Sequence, residues 1–242
     1  MTGLLIVPVE GLPDVREGDD LAALVAGAAK LDDGDVLVVA QKIVSKAEGQ
    51  VVRLVDVEPS PRARELAGED DPRHVETILR EAARIVRVRG SFVIAATRHG
   101  FVCASAGVDA SNAPDAGTLV LLPEDPDASA RRIRDGLLAL TAKTVAVIVS
   151  DSFGRPWRQG TTDVAVGVAG LTPLLDLRGL HDAAGYELRS TEIAVADELA
   201  GAAELVMGKT RRVPAAVIRG FEPVGDGTAR ELILPAERDL FR

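Results

Sequence analysis

The run VAVIVSDSFGRPWRQG, residues 145–160, sets the tightest limit on what this chain can fold into. An unbroken apolar stretch of β type ends directly in an acid, a hydroxyl, a turn glycine and two arginines. Such a stretch suits a buried strand. It predicts a strand that delivers Asp151, Ser152, Arg155 and Arg158 to its C-terminal edge, a common place to build a site for an anionic, metal-bound ligand. Gly154 and Gly160 bracket the cluster and let backbone approach a ligand closely. A strand end followed by a solvated loop is the plainer account, but the cluster is denser than a turn requires.

The other segments alternate between strand and helix patterns. Residues 4–9, LLIVPV, read as a short strand, followed by a turn punctuated by Gly11, Pro13 and Gly18. Asp19 or Asp20 is positioned to cap the helix LAALVAGAAK. DVLVVAQKIVSK, residues 35–46, predicts a strand or strand pair with Lys42 and Lys46 at its exit. After the Pro-rich break EPSPRA, the recurrence of Val75, Ile78, Leu79, Ala82, Ile85 and Val86 at helical spacing predicts one amphipathic helix. SFVIAAT, GFVCASAGVD and GTLVLLP read as three β segments. A helix over 127–140 places Ile133, Leu137 and Leu140 inward, TEIAVADELAGAAELVM (191–207) is a further helix, and PAAVIRGF (214–221) a late strand. Without repeats, low-complexity tracts or long linkers, the pattern predicts α+β or mixed α/β architecture over 1–242.

Composition narrows the function classes. With 47% hydrophobic and 27% charged residues over 242 positions, the chain can bury a full core. A formal net charge of -9 argues against nucleic acid as a partner, because phosphate backbones demand clustered cations. Cys103 is the single cysteine, which excludes an intrachain disulfide and fits a reducing cytosol; a small buried hydrophobe is its simplest role. No segment reaches the roughly 18 apolar residues that a membrane span needs, so the expectation is a cytoplasmic protein with no membrane partner.

The polar clusters suggest chemistry. The loop GVDASN supplies Asp109 and Asn112, and the strand end at 151 supplies a second carboxylate and the Ser152 hydroxyl. Hard oxygen donors from two strand ends suit Mg²⁺ or Mn²⁺, which bind carboxylates and substrate phosphates while keeping waters. Lys42, Lys46, Arg155 and Arg158 are the best cations for phosphate. Gly208-Lys209-Thr210 imitates the end of a P-loop, but a helix rather than a strand precedes it. His74, His99 and His181 lack metal-ligand spacing, and no G-x-S-x-G elbow is present.

PVEGLPDVREGDDL, VVAQKIVSKAEG, AGVDASN, DSFGRPWRQG, STEIAVADELAGAAELVMGK and PAAVIRG occur in unbroken order between Leu4 and Phe241. Together they resemble the coenzyme F-420-0:L-glutamate ligase family (gamma-glutamyl ligases). The resemblance implies a ligation in which GTP phosphorylates the terminal carboxylate of the deazaflavin precursor and the amine of L-glutamate then attacks. GDP, phosphate and glutamylated coenzyme are the products. It implies two divalent ions, Mg²⁺ or Mn²⁺, with K⁺ a further candidate, and an intertwined homodimer. Leu12, Pro13, Asp14 and Val15 match the family's early guanine-nucleotide loop, and Lys46 its nucleotide-binding lysine. Asp109 and Asp151 match the first metal site. Ser152 keeps a hydroxyl ligand for the second, and Asn112 matches a nucleotide contact. Gln41 stands where a small hydroxyl residue is usual. The stretch from Met207 aligns with a glycine-rich nucleotide loop, but Gly208 is followed by Lys209 where some relatives carry a metal-binding glutamate. Arg155 and Arg158 are assigned to anionic groups of the substrates. Trp157 either stacks on a planar ring or covers the loop. Bifunctional members of the family continue into a nitroreductase-like domain; residues 1–242 are expected to carry the ligase part alone. The alternatives are a non-catalytic deazaflavin- or nucleotide-binding module and a metal-dependent nucleotide phosphohydrolase.

Overall fold

The computed structural model describes residues 3–240, so Phe241, which closes the stretch carrying the resemblance, lies outside the described residues. The chain opens with β1 (Leu5–Pro8), α1 (Leu21–Ala28), β2 (Val36–Ala40), α2 (Gln41–Ala47) and β3 (Val51–Arg53). It continues through α3 (Pro61–Ala67), α4 (Pro72–Glu81), β4 (Ala82–Arg89), β5 (Phe92–Thr97), β6 (Val102–Ala104) and β7 (Thr118–Val120). The second half runs α5 (Pro126–Thr141), β8 (Ala146–Arg155), β9 (Arg158–Ala169), β10 (Leu175–Asp176), β11 (Glu192–Ile193), α6 (Val195–Met207) and β12 (Ala215–Arg219). The architecture is mixed α/β, as the interspersed patterns predict.

A central sheet in the order β1-β12-β2-β8-β9 organises the molecule, with β2 and β8 parallel and every other neighbour antiparallel. Both faces of this sheet are covered, which is why its middle strands are uninterrupted apolar runs. Leu37, Val39, Val147 and Val149 pack with Val25 of α1 and Ile133 and Leu137 of α5. Val36, Val38, Ala146 and Ile148 face the other way, under Leu199, Ala200 and Ala203 of α6. A Cβ built on Gly136 would lie 2.6 Å from Ala22 Cβ, so α1 and α5 cross closely there. The pairs β3-β7 and β10-β11 and the three-stranded β4-β5-β6 form smaller sheets.

Asp20 caps α1, accepting the Ala22 and Ala23 amides, while Asp19 accepts the Arg16 amide. Several expectations are corrected. The apolar segment 35–46 is not a strand pair: β2 stops at Ala40 and α2 begins at Gln41, burying Gln41, Ile43, Val44 and Ser45 on one face. The Pro-rich break contains α3, with Ser60 as its cap and Pro61 in its first turn, where a missing amide hydrogen costs nothing. The helix expected over 75–86 ends at Glu81, and the β-branched Ile85 and Val88 pair with β5 instead, with Val86 at a register shift between them. Leu140 is 56% exposed rather than inward. The helix expected from 191 starts at Val195, after the short strand β11. The polar cluster after Val149 is no loop: β8 runs on to Arg155 and folds back as β9, a long hairpin with register shifts at Val149/Ser150 and Gly154/Arg155.

Candidate active site

The sheet registers gather the polar segments at one end. Pro8 pairs with Ala216, Ala216 with Val38, and Ala40 with Ser150, so the C-terminal ends of β1 and β2, the start of β12 and the middle of β8 lie side by side. Val9 N–H donates to Ala215 O at 2.9 Å and Ala40 N–H to Pro214 O at 2.8 Å. The 9–15 loop, α2, Asp151 and the 207–214 segment therefore share this edge. Asp109 arrives by exchanging backbone bonds with Val120, at 3.0 and 2.8 Å. Gln41 ties α2 to the same segment, its Nε2 donating to Leu121 O and to Ser45 Oγ at 2.6 Å each.

At the centre sits Lys42, whose Nζ donates to Asp109 Oδ2 and Ser111 Oγ at 2.5 Å each. Ser111 N–H donates to Asp109 Oδ1 at 2.7 Å, closing the turn. Burial, the largest single influence, pushes the Asp109 carboxyl up, but the hydrogen bonds from Lys42 and Ser111 outweigh it and hold the group below the usual carboxylate range. Asp151 goes the other way. Burial pushes its carboxyl up to about 7, the neighbouring Asp163 and Asp109 carboxylates add to the rise, and the Ser152 amide and the Lys42 ammonium oppose it. Asp151 thus feels both the Asp109 and Asp163 carboxylates, with Lys42 opposing them. Two like charges about 4 Å apart repel by about 4 kcal/mol at an effective dielectric near 20, so this is a place where a cation is welcome.

Asp163, on β9 and 6% exposed, accepts from Ser152 Oγ at 2.6 Å and Ser150 Oγ at 2.9 Å. It orients the two hydroxyls that flank Asp151 and is a residue the motif reading missed. The alternating DVAVGVA beginning at Asp163 is the strand signal that would have placed it opposite Ser152. Lys46, one helical turn beyond Lys42, is half-buried; burial pulls its ammonium below the usual lysine range, Lys42 adds to that, and Asp14 opposes it. Among the described residues, no three His, Cys, Asp or Glu side chains form a ready-made metal cluster. The donor set of two carboxylates with nearby hydroxyls fits a hard dication that completes its shell with water or ligand oxygens, the habit of Mg²⁺.

The remaining candidates divide. Leu12 packs against the core and Val15 is buried, leaving Pro13 and Asp14 exposed on the loop. Asn112 is exposed, with a left-handed φ of 54° that turns the chain beside Ser111. Met207 is buried at the end of α6, Gly208 terminates that helix with φ 61°, and Lys209 is exposed. Gly208 to Thr210 thus follow a helix, in keeping with the rejection of a P-loop. Arg155 and Arg158 are not brought to the acidic centre. They face each other at the exposed hairpin tip, with about 13 Å of strand between Asp151 and Arg155 at roughly 3.3 Å per residue. Cys103 is buried, and burial with the nearby Asp151 charge pushes its thiol up to about 12, so it is no nucleophile.

The unusual ionisation of Asp151 has a measurable consequence in metal-free protein. In the unfolded chain its carboxyl ionises near the ordinary value of about 4; in the folded chain it does so only at about 7. Between these values the unfolded chain ionises while the folded one stays protonated, so folding is increasingly penalised, and above about 7, where the folded carboxyl is charged as well, the penalty stays constant. Thermal melts in EDTA are expected to show Asp151→Asn melting with wild type at pH 4, pulling above it as pH rises, and holding a constant lead beyond pH 8. A lead that does not vary with pH would contradict this.

The fold and site together define an enzyme-like mixed α/β protein whose polar centre, two acids near a lysine, lies at one end of its central sheet. The chain belongs to a ligase family, F420-0:gamma-glutamyl ligase, whose sequence model matches residues 11–220. Full-length relatives agree. The Coenzyme F420:L-glutamate ligase of Methanothermobacter thermautotrophicus is 48% identical over 252 residues, covering 99% of each chain. That of Methanopyrus kandleri is 49% identical over 253 residues and 100% of each. That of Methanocaldococcus jannaschii is 45% identical over 237 residues, 96% of this chain and 94% of that protein.

Proposed function

We propose that this protein is a GTP-dependent ligase that joins L-glutamate to the deazaflavin precursor F-420-0. The observation that carries this reading is the convergence of Asp109 and Asp151 around Lys42 at the sheet edge shared with Lys46 and the 9–15 loop, in a chain of the gamma-glutamyl ligase family. A carboxylate is a poor electrophile, so the reaction needs an activated acyl group. One oxygen of the precursor's terminal carboxylate attacks the γ-phosphorus of GTP, the bond from that phosphorus to the β-bridging oxygen breaks, and GDP leaves. The amine of glutamate then attacks the acyl carbon and gives up a proton as the C–O bond to phosphate breaks. Amide and inorganic phosphate result. The protein's part is to position the reactants and offset charge.

In this reading Asp109 and Asp151 hold a Mg²⁺ or Mn²⁺ ion, with Ser152 near a second. Bound there, a dication would neutralise charge on the transferring phosphoryl group. Lys46 meets the phosphates. Leu12 to Val15, Asn112 and the segment Met207 to Lys209 border the nucleotide, and buried Gln41 holds α2 in place for them. Arg155 and Arg158, on a tip that projects from the fold, serve the substrates' anionic groups within a homodimer.

The test is incubation of the purified protein with GTP, Mn²⁺, L-glutamate and F-420-0. A precursor heavier by a glutamyl unit, with one GDP per amide formed, is expected. Unchanged precursor, or phosphate release that ignores glutamate and precursor, would overturn the proposal.

A further inference from the structure

Lys42 is the one cation bonded to the acidic centre among the described residues, and neither the proposed nucleotide contacts nor the proposed metal ligands include it. Its side chain is only 14% exposed, and its ammonium spans Asp109 Oδ2 and Ser111 Oγ at 2.5 Å each. Asp109 Oδ1 is already taken by the Ser111 amide at 2.7 Å. A dication bound through Asp109 Oδ2 would compete with Lys42 and the Ser111 hydroxyl for that oxygen, and one bound through the remaining lone pair of Oδ1 would still lie close to the ammonium and be repelled by it. One must yield. The ammonium can, because it rides on a flexible four-carbon stem, while its helix is anchored below by the Gln41 bonds to Leu121 and Ser45.

We propose that Lys42 is a built-in counter-ion for the Asp109–Asp151 pair, holding the cation position in the metal-free protein and moving to the nucleotide phosphates when a dication takes that position. The exchange couples the two ligands. Metal alone must expel an ammonium that has nowhere favourable to go, whereas metal arriving with a triphosphate offers it a new anionic partner beside Lys46. The idea rests on the proposed dication site, and the destination rests on the proposed nucleotide.

The test is direct Mn²⁺ binding by calorimetry or paramagnetic resonance, with and without a non-hydrolysable GTP analogue, for wild type, Lys42→Met and Lys42→Arg. In wild type, Mn²⁺ alone should bind weakly and the analogue should tighten it. In Lys42→Met, Mn²⁺ alone should bind at least about tenfold more tightly and the gain from the analogue should shrink. Lys42→Arg, which keeps the charge, should resemble wild type. If the methionine variant does not fold, Lys42→Gln is read in the same way. Equal or weaker Mn²⁺ binding by the uncharged variant, with wild type still binding, overturns the counter-ion role alone. Absence of Mn²⁺ binding by wild type even with the analogue overturns the dication site and this inference with it.

Discussion

Asp109→Asn and Asp151→Asn are each expected to lower kcat for glutamate ligation by at least about a hundredfold, the scale on which loss of one preorganised charge-stabilising group is felt. The two carboxylates arrive from unrelated parts of the chain, one on a turn pinned by Val120 and the other in mid-strand on β8. Each amide variant is close in shape to the native side chain but removes a charge. Since both would hold one ion, their effects should not multiply, and the double variant should be little worse than the poorer single one. Steady-state kinetics at saturating Mn²⁺, with melting temperatures recorded for each variant, check this. Near-normal kcat in both single variants would remove the carboxylate pair from the mechanism.

Much of this centre was legible in the sequence because its parts obey local rules. Asp151 ends an apolar run that only a doubly covered strand explains, and Asp109 lies in a polar turn between β segments. What escaped depended on pairing between distant strands. Nothing local to Asp163 says that it will oppose Ser152 and hold Ser150 as well; that follows from β8 continuing past its apolar part into a hairpin. The reading of 151–160 as a loop erred because glycines and charges look like a turn until a partner strand pairs with them. The segment 35–46 misled for a related reason. Ile43 and Val44 favour strands intrinsically, but α2 buries them against the core from a helix, and tertiary packing overrides propensity. At Ala82 the balance tips oppositely, with pairing to β5 ending a helix that apolar spacing would have continued.

A second large effect is expected far from the acids, where α5 meets β9. Asp127 is 6% exposed, and its Oδ1 accepts the Val168 amide at 2.8 Å and the Ala229 amide at 2.9 Å. Truncation in Asp127→Ala strands two buried N–H groups at about 1–3 kcal/mol each, so a loss of about 2–6 kcal/mol is expected. At roughly 2–4 °C per kcal/mol for a chain of this size, that is a fall of about 4–24 °C in Tm. Asp127→Asn keeps the accepting oxygen and should lose less than half as much. Gly167 guards the same junction from the strand side. A Cβ there would lie 2.2 Å from Pro126 O, a backbone atom at the fixed start of α5, so Gly167→Ala cannot be relieved by a rotamer and should also cost several kcal/mol. Differential scanning calorimetry measures both changes, and an unaltered Tm in Asp127→Ala would disprove the role given to its two hydrogen bonds. Because Asp127 takes no part in the acidic centre, its alanine variant should keep kcat within about twofold at temperatures where it remains folded. Asp109→Asn should show the reverse, a failing reaction on a stable fold, so the two variants separate what holds the sheet together from what its edge does.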